Sequence, residues 1–174
     1  MGLLGRVRHF LPSQTLKLLF NTLILPHFIY CIEIWGFTYK THLHSLELIH
    51  KKCLRIITKS HFLAHTEELY ARNKILSFAD LIKNATCKYI FKNLNNGTPI
   101  ITRKFFSYLP NSIGTRRSTS RCLAVSSARL ECIRNSIFNN GVTVYNSLPQ
   151  DIRDSSSFSK FKRGLKSILW FYLM

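Results

Sequence analysis

Residues Leu16 to Gly36 read LKLLFNTLILPHFIYCIEIWG, and this stretch decides the predicted fold. Its apolar residues recur three and four positions apart, which is the spacing of a helix with a wide apolar face. Pro26 divides the stretch, because proline lacks an amide donor and clashes with the preceding turn but fits the first turn of a new helix. We therefore predict one helix that ends near Ile24 and a second from Pro26 to Gly36, packed as a helical hairpin at the core.

Periodicity and capping residues predict further helices. The range 42–58 combines an apolar stripe with a polar face. The range 77–95 begins with a capping box, in which Ser77 and Asp80 are three residues apart. A final amphipathic helix follows the serines at 155–157. The sequence therefore predicts a mainly α protein.

The last part of the chain is less regular. Short apolar runs at 122–125 and 133–138 are candidates for strands, because runs of this length are compatible with strand as well as helix. We predict a helical hairpin and bundle in residues 1–97, followed by a small irregular α+β segment in residues 98–174.

The charge of the chain is strongly positive. Lysine and arginine number 25 against 8 acidic residues, which gives a net charge of +17 over 174 residues. Hydrophobic residues make up 46% of the chain, which is enough for a core and excludes a disordered protein. So large an excess of positive charge indicates a polyanionic partner, either a nucleic acid or an anionic membrane surface.

The cysteines and the termini bear on the cellular compartment. Five cysteines without a C-x-x-C pair predict buried thiols in a reducing compartment, and they exclude a disulfide framework and a zinc knuckle. The first residues lack the apolar run of a signal peptide, and the apolar run 168–174 is too short to cross a bilayer. We expect an intracellular protein, nuclear or cytoplasmic, that is neither secreted nor inserted in a membrane.

The order of several motifs resembles one protein family. A leucine-rich helix leads into L-I-L-P-H-F-I-Y-C at 23–31, then a Trp-Gly pair at 35–36, then K-K-C-L-R-I-I-T at 51–58. This order is similar to the region after the polymerase core in reverse transcriptases of non-LTR retrotransposons, the LINE-like elements of the jockey and related clades. Further matches follow in the same order: L-A-H-T-E at 63–67, K-I-L-S-F-A-D-L at 74–81, T-R-R-S at 115–118, G-V-T-V-Y-N-S-L-P-Q-D-I-R at 141–153 and S-S-S-F-S-K-F-K-R-G-L-K at 155–166.

The resemblance covers only the part of the family that follows the catalytic palm. It implies a thumb-like helical region to about Thr58 and a C-terminal extension, with palm and fingers missing. The palm of such a polymerase holds two magnesium ions through clustered aspartates, including a paired F/Y-A-D-D signature. Phe78-Ala79-Asp80-Leu81 has a single aspartate, and Asp80 is explained by helix capping. We therefore predict no catalytic residue, no metal site and no cofactor in this chain.

The sequence has too few suitable residues for a zinc site or for nucleophilic catalysis. His61 and His65 are four residues apart and Cys53 lies upstream, but further ligands are lacking, so a zinc site is not predicted. Serines and cysteines lack a placed base and an orienting acid, which argues against nucleophilic catalysis. We predict no small-molecule substrate.

Binding of nucleic acid is the remaining interpretation of the basic residues. The polar face of the helix 42–58 carries His50 and a group of four cations, Lys51, Lys52, Arg55 and Lys59. A second group, Arg116, Arg117 and Arg121, falls in a polar loop. Such side chains contact phosphates with little sequence preference, and both groups are predicted to bind the backbone of RNA or of an RNA–DNA hybrid. The alternative is a solvated basic helix face.

The predicted function is that of a fragment of an RNA-directed DNA polymerase which does not catalyse by itself and retains backbone binding to template and primer. A stand-alone, non-enzymatic nucleic-acid-binding module and an inert genomic remnant are the alternatives. Membrane association through the last helix is disfavoured, because Phe161, Leu165 and Leu169 are needed to close a core.

Overall fold

The computed structural model describes residues 2–95, 97–109 and 122–171, and this part of the chain is mainly helical, as predicted. Two π-helical turns occur in it, Phe20–Ile24 and Ile137–Gly141. The α-helices are α1 (Gly2–Val7), α2 (Ser13–Leu19), α3 (Leu25–Ile29), α4 (Ile32–Trp35), α5 (Lys40–Ile57), α6 (Thr66–Asn73), α7 (Phe78–Leu94), α8 (Ile100–Arg103), α9 (Glu131–Arg134), α10 (Val142–Asn146), α11 (Gln150–Arg153) and α12 (Phe158–Phe171).

The chain does not turn at Pro26, contrary to the predicted hairpin. Helix α2, the first π turn and α3 follow one another without a break, and the amide of Leu25 donates to the carbonyl of Phe20, five residues earlier. An α-helix would instead need an amide at Pro26 to pair with the carbonyl of Thr22. The wider π turn accommodates the missing donor and the proline ring, so the helical conformation continues past Pro26.

The change of direction lies five residues later. Helix α3 ends at Ile29, and Cys31 adopts a left-handed conformation with φ of 51° before α4 begins. The indole Nε1 of Trp35 donates to the carbonyl oxygen of Tyr30 at 2.7 Å, which satisfies a group that the helix no longer pairs. The predicted second helix is therefore interrupted at Tyr30 and Cys31.

Gly36 ends α4, as predicted, and its lack of a side chain has a packing reason. A Cβ atom at this position would lie 2.9 Å from Cγ2 of Ile82 in α7. The backbone after α4 therefore lies directly against α7, and Ile32 and Phe37 are buried beside Phe78.

Helix α7 is packed by both halves of the chain. Towards its N-terminus it joins a cluster with residues of α3 and α4, and towards its C-terminus it joins a cluster with α10 and α12. A third cluster unites α1, α2 and the first π turn with the C-terminal half of α5 and with α6. Residues on both sides of position 97, the predicted domain boundary, thus share buried contacts with α7.

Of the two candidate strands, the range 122–125 contributes an isolated β-bridge and the range 133–138 is mainly helical. Tyr108 and Leu123 form an isolated antiparallel bridge, with the amide of Ala124 donating to the carbonyl of Ser107 at 2.8 Å. The range 133–138 is not a strand, which corrects the prediction, because it lies in α9 and the second π turn.

Asn146 fixes the extended segment to α10. Its Oδ1 accepts from the amide of Leu123 at 2.9 Å, and its Nδ2 donates to the carbonyl of Leu123 at 2.9 Å. Leu123 is buried, and so are Val142 and Tyr145, which lie on α10 together with Asn146. The asparagine therefore replaces the hydrogen bonds that a neighbouring strand would supply.

Replacing this side chain is expected to destabilise the fold. In Asn146→Ala, the buried backbone groups of Leu123 lose both partners, which costs about 1–3 kcal/mol of unfolding free energy. Urea denaturation measures this loss. Asn140→Ala is the matched control, since Asn140 is exposed on the preceding π turn and its removal should change stability by less than about 0.5 kcal/mol. Equal stability of the two variants would contradict the role given to Asn146.

His50 lies in the core, and not on the basic face where the sequence placed it. Its ring is fully buried, its Nδ1 is 2.9 Å from the hydroxyl of Tyr70, and its Nε2 has no hydrogen-bond partner among the described residues. Phe20 and Phe28 contact the ring edge-on at centroid distances of 5.6 and 5.4 Å. Burial lowers the pKa of His50 from 6.5 to about 4, and Glu47 opposes this only in part.

The buried histidine predicts a loss of stability in acid. Since the unfolded chain binds a proton near pH 6.5 and the folded chain only near pH 4, the unfolding free energy falls as pH decreases through this window. At about 1.4 kcal/mol per pKa unit, the loss reaches roughly 3 kcal/mol. Urea denaturation at several pH values should show this loss in the wild type and a smaller one in His50→Phe. His44→Phe, at an exposed position of α5, should retain the full loss. Parallel pH curves for the wild type and His50→Phe would contradict the assignment.

Candidate nucleic-acid interface

The C-terminal half of α5 presents one apolar and one basic side. Cys53, Leu54, Ile56 and Ile57 are buried against the first helices, which turns Lys51, Lys52 and Arg55 away from the core. The four predicted cations therefore form a surface, although His50 lies on the other side, and we name this surface the α5 basic face: Lys51, Lys52, Arg55 and Lys59.

The four members of the α5 basic face differ in their surroundings. Lys51 forms an ion pair with Glu47 one turn earlier, which compensates part of its charge. Arg55 is half-buried, and its Nε donates to the carbonyl of Ala64 at 3.2 Å. Lys52 and Lys59 are exposed, and Lys59 has a φ of 54° just after the helix. Lys52 and Lys59 are thus the members that face solvent most openly.

Arg8 also contacts this region, a residue that sequence reasoning left out of the site. Its Nη2 donates to the carbonyl of Ser60 at 3.3 Å, from 52 positions earlier in the chain. In the sequence, Arg8 is marked only by its place in a short basic run with Arg6 and His9, and nothing in that run specifies a contact with Ser60. The other predicted group, Arg116, Arg117 and Arg121, lies outside the described residues.

A second basic surface arises where α7 packs against α12. The rings of Phe91 and Phe161 are stacked with centroids 4.1 Å apart, and this contact sets the two helices side by side. Four lysines are brought together as a result, and we name them the α7–α12 lysine cluster: Lys88, Lys92, Lys162 and Lys166.

The electrostatics of the cluster are unfavourable in the unbound protein. Lys88 is half-buried, and its pKa is lowered first by burial and then by the positive charges of Lys162, Lys166 and Lys92. None of the four lysines forms an ion pair with an acidic side chain in the described part of the protein. A concentration of positive charge without compensation is what an anionic ligand would relieve.

Aromatic rings and a groove border the lysine cluster. The Nζ of Lys92 lies 5.0 Å from the centroid of the Phe158 ring, and the Nζ of Lys166 lies 4.3 Å from that of Trp170. Lys88 and Lys92 also line a groove of about 370 Å³ between α7 and the α3–α4 region, with Glu33 at its opposite side. The rings restrain two of the ammonium groups.

Sequence reasoning missed the cluster for a physical reason. Lys88 and Lys92 are four residues apart on α7, and Lys162 and Lys166 are four residues apart on α12, so each pair is visible in the sequence. The meeting of the two pairs depends on the packing of α7 against α12, and nothing local encodes that contact.

The residues considered for metal binding have structural roles. Ser77 Oγ accepts from the amide of Asp80 at 3.2 Å and donates to its carboxylate at 2.6 Å, which confirms the predicted cap. The Nδ1 of His61 accepts from the amide of Leu63, and Cys53 is fully buried, with its pKa raised by burial to about 11. In the described ranges, no three histidine, cysteine or acidic side chains cluster as a metal site would require.

Two further features bear on the predictions. Across residues 2–95, 97–109 and 122–171, no helix has the length and apolar character needed to cross a membrane. Cys53, Cys87 and Cys122 are buried thiols as predicted, whereas Cys31 is half-buried and Cys132 is exposed.

Comparison with known proteins identifies no family for the chain. Searches against models of protein families, curated proteins and solved structures find no significant match.

Proposed function

We propose that this chain binds the sugar–phosphate backbone of RNA or of an RNA–DNA hybrid without catalysing a reaction. The observation that carries this proposal is the α7–α12 lysine cluster. Four ammonium groups share one surface there, none is paired with a described acidic side chain, and burial together with the charges of the other three disfavours the charged form of Lys88. Phosphate groups would offset this repulsion.

The net charge of the chain supports the same interpretation. An excess of +17 concentrates polyanions near the surface and increases the rate of their association. Each lysine that neutralises a phosphate releases a condensed counterion, so such binding weakens steeply as salt is added. The exposed members of the α5 basic face, Lys52 and Lys59, would add contacts of the same kind.

We further propose that the chain is related by descent to the thumb and C-terminal region of non-LTR retrotransposon reverse transcriptases. The support is the ordered set of motifs between Leu23 and Lys166 that resemble this family. In such a polymerase the thumb follows the backbone of template and primer, which is the role proposed for the basic surfaces here. The magnesium ions of the parent enzyme are held by palm aspartates, and the sequence of this chain lacks the paired aspartate signature.

Backbone binding is tested by fluorescence anisotropy with a short RNA–DNA hybrid over a series of salt concentrations. We expect the logarithm of the affinity to fall linearly with the logarithm of the salt concentration. Replacing Lys88, Lys92, Lys162 and Lys166 by glutamine should weaken binding about 10- to 100-fold and make the salt slope shallower by about 2–4, since each phosphate contact contributes about 0.9 for duplex DNA.

The matched control removes the same number of charges elsewhere. Lys40, Arg72, Lys104 and Arg129 are exposed and lie outside both basic surfaces, so their replacement by glutamine should have a much smaller effect. If the two quadruple variants lose affinity equally, only the net charge matters and the site assignment is wrong. Absence of binding by a folded wild-type chain would overturn the proposed function itself.

The non-catalytic part of the proposal has its own test. Incubation with template, primer, nucleotides and magnesium should give no primer extension, because the paired aspartates that hold the two metal ions are lacking. A polymerase with an intact palm serves as the positive control. Extension above background by the purified chain would contradict this part of the proposal.

A further inference from the structure

The loop between α5 and α6, residues 58–65, is held in a defined conformation from two directions. Arg8 donates to the carbonyl of Ser60 at 3.3 Å, and Arg55 donates to the carbonyl of Ala64 at 3.2 Å. The hydroxyl of Ser60 also donates to that of Thr58 at 2.8 Å. The backbone between Ser60 and Ala64 is therefore fixed by side chains from α5 and from the start of the chain.

This fixed loop displays two large apolar side chains. Phe62 is 70% exposed and Leu63 is 74% exposed, and they lie next to each other at the tip. A folded protein gains nothing by holding an aromatic ring in water, since burying a phenylalanine contributes roughly 1.5–3 kcal/mol. Phe62 is thus available for contact with a ligand, and the charges around it indicate which kind of ligand.

Positive charge surrounds the exposed ring. The guanidinium carbon of Arg55 lies 6.0 Å from the centroid of Phe62, and exposed Lys59 is three residues away along the loop. Arg8 reaches the same loop through Ser60. An aromatic face combined with arginine and lysine is the arrangement by which proteins bind single-stranded nucleic acid, with the ring stacking on a base and the cations contacting phosphates.

We propose that Phe62 stacks on an unpaired base while Arg55, Lys59 and Arg8 contact the flanking phosphates. This inference rests on the proposed function and names its preferred substrate, a nucleic acid with a single-stranded segment. Base faces inside a duplex are already covered by their neighbours, so a loop residue gains little there. An unpaired base has an open face, and every base offers one, so this binding has little sequence preference.

The test compares a single-stranded RNA with an RNA–DNA hybrid of the same length and sequence, using the full chain. Anisotropy gives both affinities, and a 2-aminopurine in the single strand reports stacking through the quenching of its fluorescence. Phe62→Ala should weaken binding to the single strand about 5- to 100-fold and remove the quenching. Binding to the hybrid should change by less than about twofold, because the lysine contacts to its backbone persist.

Two variants in the same loop serve as controls. Leu63→Ala removes an equally exposed apolar side chain that has no aromatic face, so affinity and quenching should be unchanged. Phe62→Trp keeps an aromatic ring and should retain both. All of these side chains are exposed, and thermal unfolding should show variants as stable as the wild type.

The outcomes separate this inference from the proposed function. If Phe62→Ala leaves single-strand affinity unchanged, or weakens both ligands equally, base stacking is wrong while backbone binding stands. If Leu63→Ala causes the same loss as Phe62→Ala, the loop makes a general apolar contact and stacking is again wrong. If neither ligand binds the folded wild-type chain, the proposed function fails and the inference fails with it.

Discussion

The structure depends on α7 being covered from both ends of the chain. Ile90 and Cys87 are fully inaccessible under α10 and α12, and Phe78 and Leu81 are buried under α3 and α4. A helix with apolar residues on several sides is stable only when neighbouring segments cover all of them. The C-terminal segment, which contains mostly short helices and an isolated bridge, obtains its order from this contact because it has little regular structure of its own.

The same contact explains how like charges come together. Stacking of Phe91 on Phe161 removes two rings from water, and each buried ring contributes roughly 1.5–3 kcal/mol. Packing brings together roughly four interhelical pairs of ammonium groups, and each pair repels by about 1 kcal/mol in water at 4 Å and by less at larger distances and in salt. The apolar contact therefore outweighs the repulsion, and α7 and α12 pack although their outer sides carry Lys88, Lys92, Lys162 and Lys166. A core interaction thus places four positive charges on one surface.

Local signals in the sequence predicted local structure well. The cap at Ser77 and the periodicity of α5 and α7 depend on residues within one or two turns, so the mainly α class and these helices could be recognised. Features set by more distant residues were missed. His50 is buried because Phe20, Phe28 and Tyr70 surround it. Pro26 lies within a continuous helical segment because the π turn before it accommodates the missing amide donor. The lysine cluster and the contact of Arg8 with the α5–α6 loop likewise need the tertiary fold.

Several residues in the motifs that resemble the reverse transcriptase family have structural roles in this protein. Ser77 and Asp80 cap α7, Asn146 holds the backbone of Leu123, and Tyr145 is buried beside Phe161. These residues stabilise the core of the protein. The proposed binding of nucleic acid rests on charged and aromatic side chains at the surface, namely the α7–α12 lysine cluster and the loop that carries Phe62.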